Sequence, residues 1–124
     1  MIKVTNTDKA PAAIGPYSQA ISSGSLLFTS GQIPLDPASG EIVGSDISAQ
    51  AEQAIKNLEA ILKANGIGLE KVLKATCFLA DMGDFAAFNK VYEKYFVSKP
   101  ARSCVAVKQL PRNALCEIET IAEL

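Results

Sequence analysis

Hydrophobic and polar positions along the chain change period several times, and each change predicts an element. Ile2–Val4 predicts a short first strand. Ala10–Pro16, with two prolines and a glycine, reads as a loop. Tyr17–Ile21 and Leu26–Ser30 are β-prone runs joined by Ser22-Ser23-Gly24-Ser25, a hairpin pattern. Gly31–Gly44 is broken by Pro34, Pro37 and Gly40, so it predicts irregular chain. From there the period changes to that of a helix. Ile47, Ala51, Ala54, Ile55, Leu58, Ile61 and Leu62 fall on one helical face, with Gln50, Gln53, Lys56, Asn57 and Lys63 at the other positions. Ser45 or Asp46 can cap that helix, and Gly66 can end it. Val72–Leu79 is a β-branched, apolar strand. A second helix starts near Asp81 or Asp84, with the aromatics Phe85, Phe88, Tyr92, Tyr95 and Phe96 packing on the sheet. Ser103–Val107 and Leu115–Ala122 predict two final strands, joined by Lys108–Ala114 with Pro111.

Strands, helix, strand, helix, strands is the order of an α+β sandwich. Two helices then cover one face of a mixed sheet, in a single domain over residues 1–124. The other face has no layer left in the chain to bury its apolar positions, so a homo-oligomer is expected.

Composition narrows the chemistry. Twelve basic against thirteen acidic residues give a net charge of -1, which offers no electrostatic attraction for nucleic acid or an anionic membrane. No apolar run approaches the ~20 residues of a membrane span. Met1–Ala10 is polar and carries no apolar signal-peptide core, so a cytoplasmic protein is expected. Three cysteines without CxxC spacing favour neither a disulfide framework nor a zinc site. There is no histidine, which removes Ser-His-Asp and Cys-His catalysis and makes a transition-metal site unexpected. Acid–base work falls to Glu, Asp, Tyr, Cys, Lys or bound water. No GxGxxG or GxxxxGK[ST] pattern points to a nucleotide.

A few residues remain as candidates. Pro100-Ala101 delivers Arg102 to the mouth of an apolar strand, and its planar fork of donors suits a carboxylate held bidentately. It could equally be a surface cation. Glu117 and Glu119 share one face of the last strand, either as a solvated face or with one of them a general base in a cleft. Tyr17 begins a strand after Gly15-Pro16, and Gly31 after Ser30 would let a ligand approach the backbone. Cys104 shares the Arg102 face; with no histidine to activate it, it reads as a small hydrophobe rather than a nucleophile.

Taken together, Ala13–Ala20, Phe28–Pro34, Asp84–Asn89, Pro100–Cys104, Leu110-Pro111 and Glu117-Ile118-Glu119 resemble blocks of the RidA (YjgF) family of reactive-intermediate deaminases. The resemblance covers nearly the whole chain and is most specific at its C-terminal end. Cys116 stands where an aliphatic residue is expected. The resemblance implies a chorismate-mutase-like fold in a homotrimer, sheets inward as a barrel and helices outside, with sites between subunits. It implies hydrolysis of enamines and imines such as 2-aminoacrylate to a 2-keto acid and ammonia, without cofactor or metal. By position, Arg102 becomes the carboxylate clamp and Glu117 the residue that orients or activates water. Tyr17, Ser30, Gly31, Phe85, Asn89 and Cys104 become the pocket lining. A non-catalytic protein binding a keto acid or amino acid in the same cleft is the alternative. A nuclease or translational inhibitor is disfavoured by the charge balance.

Overall fold

The hairpin around Gly24 is tighter than its sequence predicts. β2 (Ala20–Ser23) and β3 (Leu26–Thr29) pair antiparallel with Ser23 opposite Leu26, which leaves a two-residue turn. Gly24 takes φ 61 there, a conformation that favours glycine. Tyr17 lies before the strand rather than at its start. The chain is still bent at that point, and the Tyr17 N–H donates to Gly15 O at 2.9 Å. These observations come from a computed structural model that describes Met1–Leu124.

The remaining elements are β1 (Ile2–Thr5), α1 (Ile47–Ala64), β4 (Val72–Leu79), α2 (Phe85–Tyr95), β5 (Ala101–Ala106) and β6 (Cys116–Glu123). One six-stranded sheet runs in the order β1-β2-β3-β6-β4-β5. β4 and β5 are parallel, joined through α2, and every other pairing is antiparallel. The sheet is therefore mixed, as predicted, and its two helices cover one face.

Asp46, not Ser45, caps α1: its Oδ1 accepts from the Ala49 N–H at 2.8 Å. The seven residues of the predicted stripe are all buried against the sheet. Each fully buried Ile or Leu among them contributes about 1.5–3 kcal/mol of apolar transfer. Gln50 and Asn57, assigned above to the polar positions, are buried as well. Each reaches a loop backbone. Gln50 accepts from the Leu115 N–H at 2.8 Å and donates to Gly44 O at 3.0 Å. Asn57 donates to Ile33 O at 3.1 Å and to Leu35 O at 2.8 Å. These bonds satisfy carbonyls of the irregular segment after β3 and fix it to the helix.

The register divides the sheet into two faces, since directly opposed residues share a face. Ala75, Cys77, Leu79, Cys116, Ile118 and Ala122 lie under the helices and are buried. Cys116 fits there as a small apolar group. Ile2, Val4, Ile21, Phe28, Phe78, Val105 and Ile121 lie on the other face, which no element of the chain covers. Val4 is 64% exposed, Phe28 42% and Val105 47%, so this face is apolar and bare. No helix is long and apolar enough to cross a membrane.

Candidate functional site

The bare face carries a cleft where β3 meets β6. The ladder between them is interrupted after Phe28, opposite Ile121, and resumes at Gln32, opposite Ile118. The β3 side is one residue longer, so Ser30-Gly31 forms a bulge that turns its backbone toward β6. Ser30 is tied on the other side: its N–H donates to Gln19 O at 2.9 Å and its Oγ to Ser18 O at 2.6 Å.

Gly31 is packed against the Glu117 side chain. A Cβ at Gly31 would stand 2.8 Å from Glu117 Cδ and closer still to Oε2, so only glycine leaves the carboxylate where it is. Glu117 is half-buried. Removal from water raises its pKa above the ordinary glutamate value, and the neighbouring Glu119 charge pushes the same way. The cleft holds about 570 Å³ and is lined by Tyr17, Ser30, Gly31, Glu117 and Glu119, with Pro11 and Pro111 at its walls. Gln19 straps the N-terminal wall in place, donating to Thr7 O at 2.9 Å and Pro11 O at 2.8 Å while accepting from the Thr7 N–H at 2.7 Å.

Arg102 belongs to a second cluster. It is the second residue of the β5 edge strand, opposite Ala75, so it lies inside the strand rather than at its mouth, on the face that the helices cover. Its Nη1 donates to Asn89 Oδ1 at 2.8 Å. The guanidinium carbon lies 4.7 Å from the Tyr92 ring centroid and 5.7 Å from that of Phe85. Phe85, Asn89 and Tyr92 are spaced i, i+4, i+7, so one side of α2 grips the arginine from three directions. Tyr92 in turn stacks on Phe96, with centroids 4.2 Å apart. The sequence pattern predicts only sheet packing for Tyr92; its i+3 spacing from Asn89 and i+7 spacing from Phe85 is the signal that places it under the arginine. Cys104, two residues along β5, is partly buried, and burial raises its thiol pKa despite the opposing pull of Arg102. A thiol held in its protonated form is a poor nucleophile.

The structure thus gathers the eight candidates into two groups. Tyr17, Ser30, Gly31 and Glu117 share the cleft; Phe85, Asn89, Arg102 and Cys104 share the edge of β5. Arg102 and Glu117 leave the sheet on opposite faces, with β4 between their strands. No group of three or more His, Cys, Asp or Glu side chains is arranged to hold a metal ion.

Comparison with known proteins agrees with this architecture. The family model described as Endoribonuclease L-PSP matches residues 7–124. A RutC family protein of Pyrococcus horikoshii is 54% identical, over 98% of this chain and 98% of its own. Among solved structures, YyfA of Yersinia pestis, described as of the conserved Rid protein family, superposes with a TM-score of 0.97 at 43% identity, covering all of both chains. Escherichia coli TdcF with bound serine gives a TM-score of 0.94 at 44% identity, over 98% of each chain. Matched from residue 7 to its last residue, and with relatives of this identity along its whole length, the chain belongs to the YjgF/RidA family, the one described by the Endoribonuclease L-PSP model.

Proposed function

We propose that this protein hydrolyses enamine and imine intermediates, such as 2-aminoacrylate, to 2-keto acids and ammonia. It does so in the cytoplasm, as a homotrimer whose sites lie between subunits. One observation carries the reading: a preset anion clamp and a carboxylate of raised pKa stand on opposite faces of one sheet, and the cleft face is apolar and bare. Covering that face with a second copy buries the apolar row and lets the exposed β5 edge of one copy approach the cleft of the next.

The chemistry follows from the groups present. The substrate carboxylate binds Arg102 of the partner subunit, whose guanidinium is already oriented by Asn89 and Tyr92. The enamine takes a proton from solvent at its terminal carbon and becomes the iminium, the protonated imine. Glu117 accepts a proton from water as the water oxygen bonds to the imine carbon. Glu117 then returns its proton to the carbinolamine nitrogen, and the C–N bond breaks to release ammonia while the hydroxyl loses its proton to solvent and becomes the carbonyl. Positioning supplies much of the rate, because the imine is already electrophilic. A ribonuclease reading fits less well: two carboxylates and no cation line the cleft, which would repel a phosphate backbone.

The test is release of ammonia and keto acid from 2-aminoacrylate generated in situ. Arg102→Ala should lower kcat/KM by about 10- to 100-fold, the worth of a charge-assisted clamp. Equal rates for wild type and variant refute the reading. The serine held by TdcF favours a second possibility, a binding protein for small amino or keto acids. Calorimetry with pyruvate or 2-ketobutyrate separates the two, since binding without turnover supports the second.

A further inference from the structure

Glu119 has no part in the scheme above, yet it lines the same cleft as Glu117. The two sit one strand repeat apart on the same face of β6, roughly 7 Å between Cβ atoms. Neither is in an ion pair; the chain's pairs are Lys56–Glu52, Lys63–Glu59 and Arg112–Glu41. Of the residues lining the cleft only Tyr17, Glu117 and Glu119 carry an ionisable side chain, and none is cationic.

The neighbouring elements bring little compensating charge to Glu117. β4 places Phe78 opposite it and Thr76 opposite Glu119, while Ser103 and Val105 of β5 lie beyond them. Lys74 is on the same face but sits farther along, opposite Ile121. On the loop bearing Pro111, Arg112 is turned toward Glu41, with Nη2 3.8 Å from Oε2. The remaining cation is Arg102 of the partner subunit in the assembly proposed above, and there the substrate carboxylate neutralises it.

Resting on that reading, we propose that Glu119 is a positioning residue that raises the proton affinity of Glu117 beyond what its burial alone gives. Its carboxylate, on the same strand face and in the same cleft, strengthens the base that takes a proton from water. Half-burial of Glu117 supports the same direction, and the Glu119 charge adds to it.

The test follows the Glu117 side-chain carboxyl carbon by NMR in protein labelled at glutamate, as pH is varied. In Glu119→Gln the Glu117 midpoint should fall by about half a unit to one unit, the size of a like-charge effect at this spacing. The acidic limb of kcat/KM should move by the same amount, and Glu119→Asp should restore both. An unmoved midpoint in Glu119→Gln overturns the proposal. Wild type gives an independent reading should the variant not fold: coupled carboxyls titrate in two steps, so Glu117 should show a second, smaller inflection at the Glu119 midpoint. A single inflection overturns the proposal. If imines are not hydrolysed at all, the deaminase reading fails, and the NMR titration still decides the role of Glu119.

Discussion

Gly31→Ala isolates the position of the Glu117 carboxylate from its chemistry. The added Cβ would stand 2.8 Å from Cδ and 3.0 Å from Cγ of Glu117, and nearer still to Oε2. Restoring ordinary contact moves the carboxylate by about 1 Å, since the backbone of the bulge is tied to Gln19, just before β2, on one side and to Ile118 of β6 on the other. A displacement of that size at a reacting group costs on the order of 100-fold in rate, or about 2.7 kcal/mol of barrier. Fold stability should change far less. Gly31 has no positive φ that an alanine would resist, and the neighbour that must give way is a flexible side chain at the cleft. The assay is a coupled measurement of keto acid from 2-aminoacrylate, run beside thermal unfolding. The expected result is a kcat loss near 100-fold with an unfolding midpoint close to wild type. Gly31→Ala combined with Glu117→Gln should be little worse than either alone, because both remove the same function. Wild-type kcat in Gly31→Ala, or full additivity in the pair, refutes the reasoning.

Two further outcomes follow from the arrangement of the site. Tyr92→Leu removes the ring under Arg102, an interaction of about 0.5–2 kcal/mol, so KM should rise several-fold with kcat nearly kept. Tyr92→Phe should leave KM unchanged, because the Tyr92 hydroxyl is buried without a partner. Glu117→Gln should abolish most turnover while raising the unfolding midpoint at pH 7. A carboxyl whose folded pKa is raised releases its proton more readily when unfolded. It therefore lowers stability as pH rises from the unfolded value through the folded one. The difference between variant and wild type should vanish below pH ~4, which calorimetry at both pH values checks.

The parts of the fold that local periodicity controls were legible. The α1 stripe, β4 and the two-helix, one-face layering follow from spacing alone, and the family resemblance named the candidate site residues. Local pattern could not show what depends on register. Whether Arg102 and Glu117 share a face is decided by Ala75 lying opposite Arg102 and Phe78 opposite Glu117, a relation between three strands distant in sequence. Gln50 and Asn57 were misplaced for a related reason. Polarity puts an amide outside unless its partner is known, and the partners of Asn57 are carbonyls 22 and 24 residues away. Tyr17 was placed in a strand because its run is β-prone, but the bend at Gly15 delays pairing until Ala20.

Separating the clamp from the base also has a physical logic. Were Arg102 and Glu117 adjacent in one chain, they would pair with each other. The pair would lower the Glu117 pKa and occupy the donors meant for substrate. On opposite faces each stays free until two copies meet, and in the proposed reading the site forms only in the assembly. This makes a sharp prediction for mixed oligomers. Arg102→Ala and Glu117→Gln are each expected to keep about a tenth of wild-type activity or less, in line with the losses predicted above. When the two variants are unfolded together and reassembled in equal amounts, a site between copies is intact whenever its Arg102 comes from one variant and its Glu117 from the other. For random assembly of a cyclic trimer that is about a quarter of all sites, so about a quarter of wild-type activity should return. Clamp and base drawn from the same chain would give no recovery at any mixing ratio, and that result would refute the shared site.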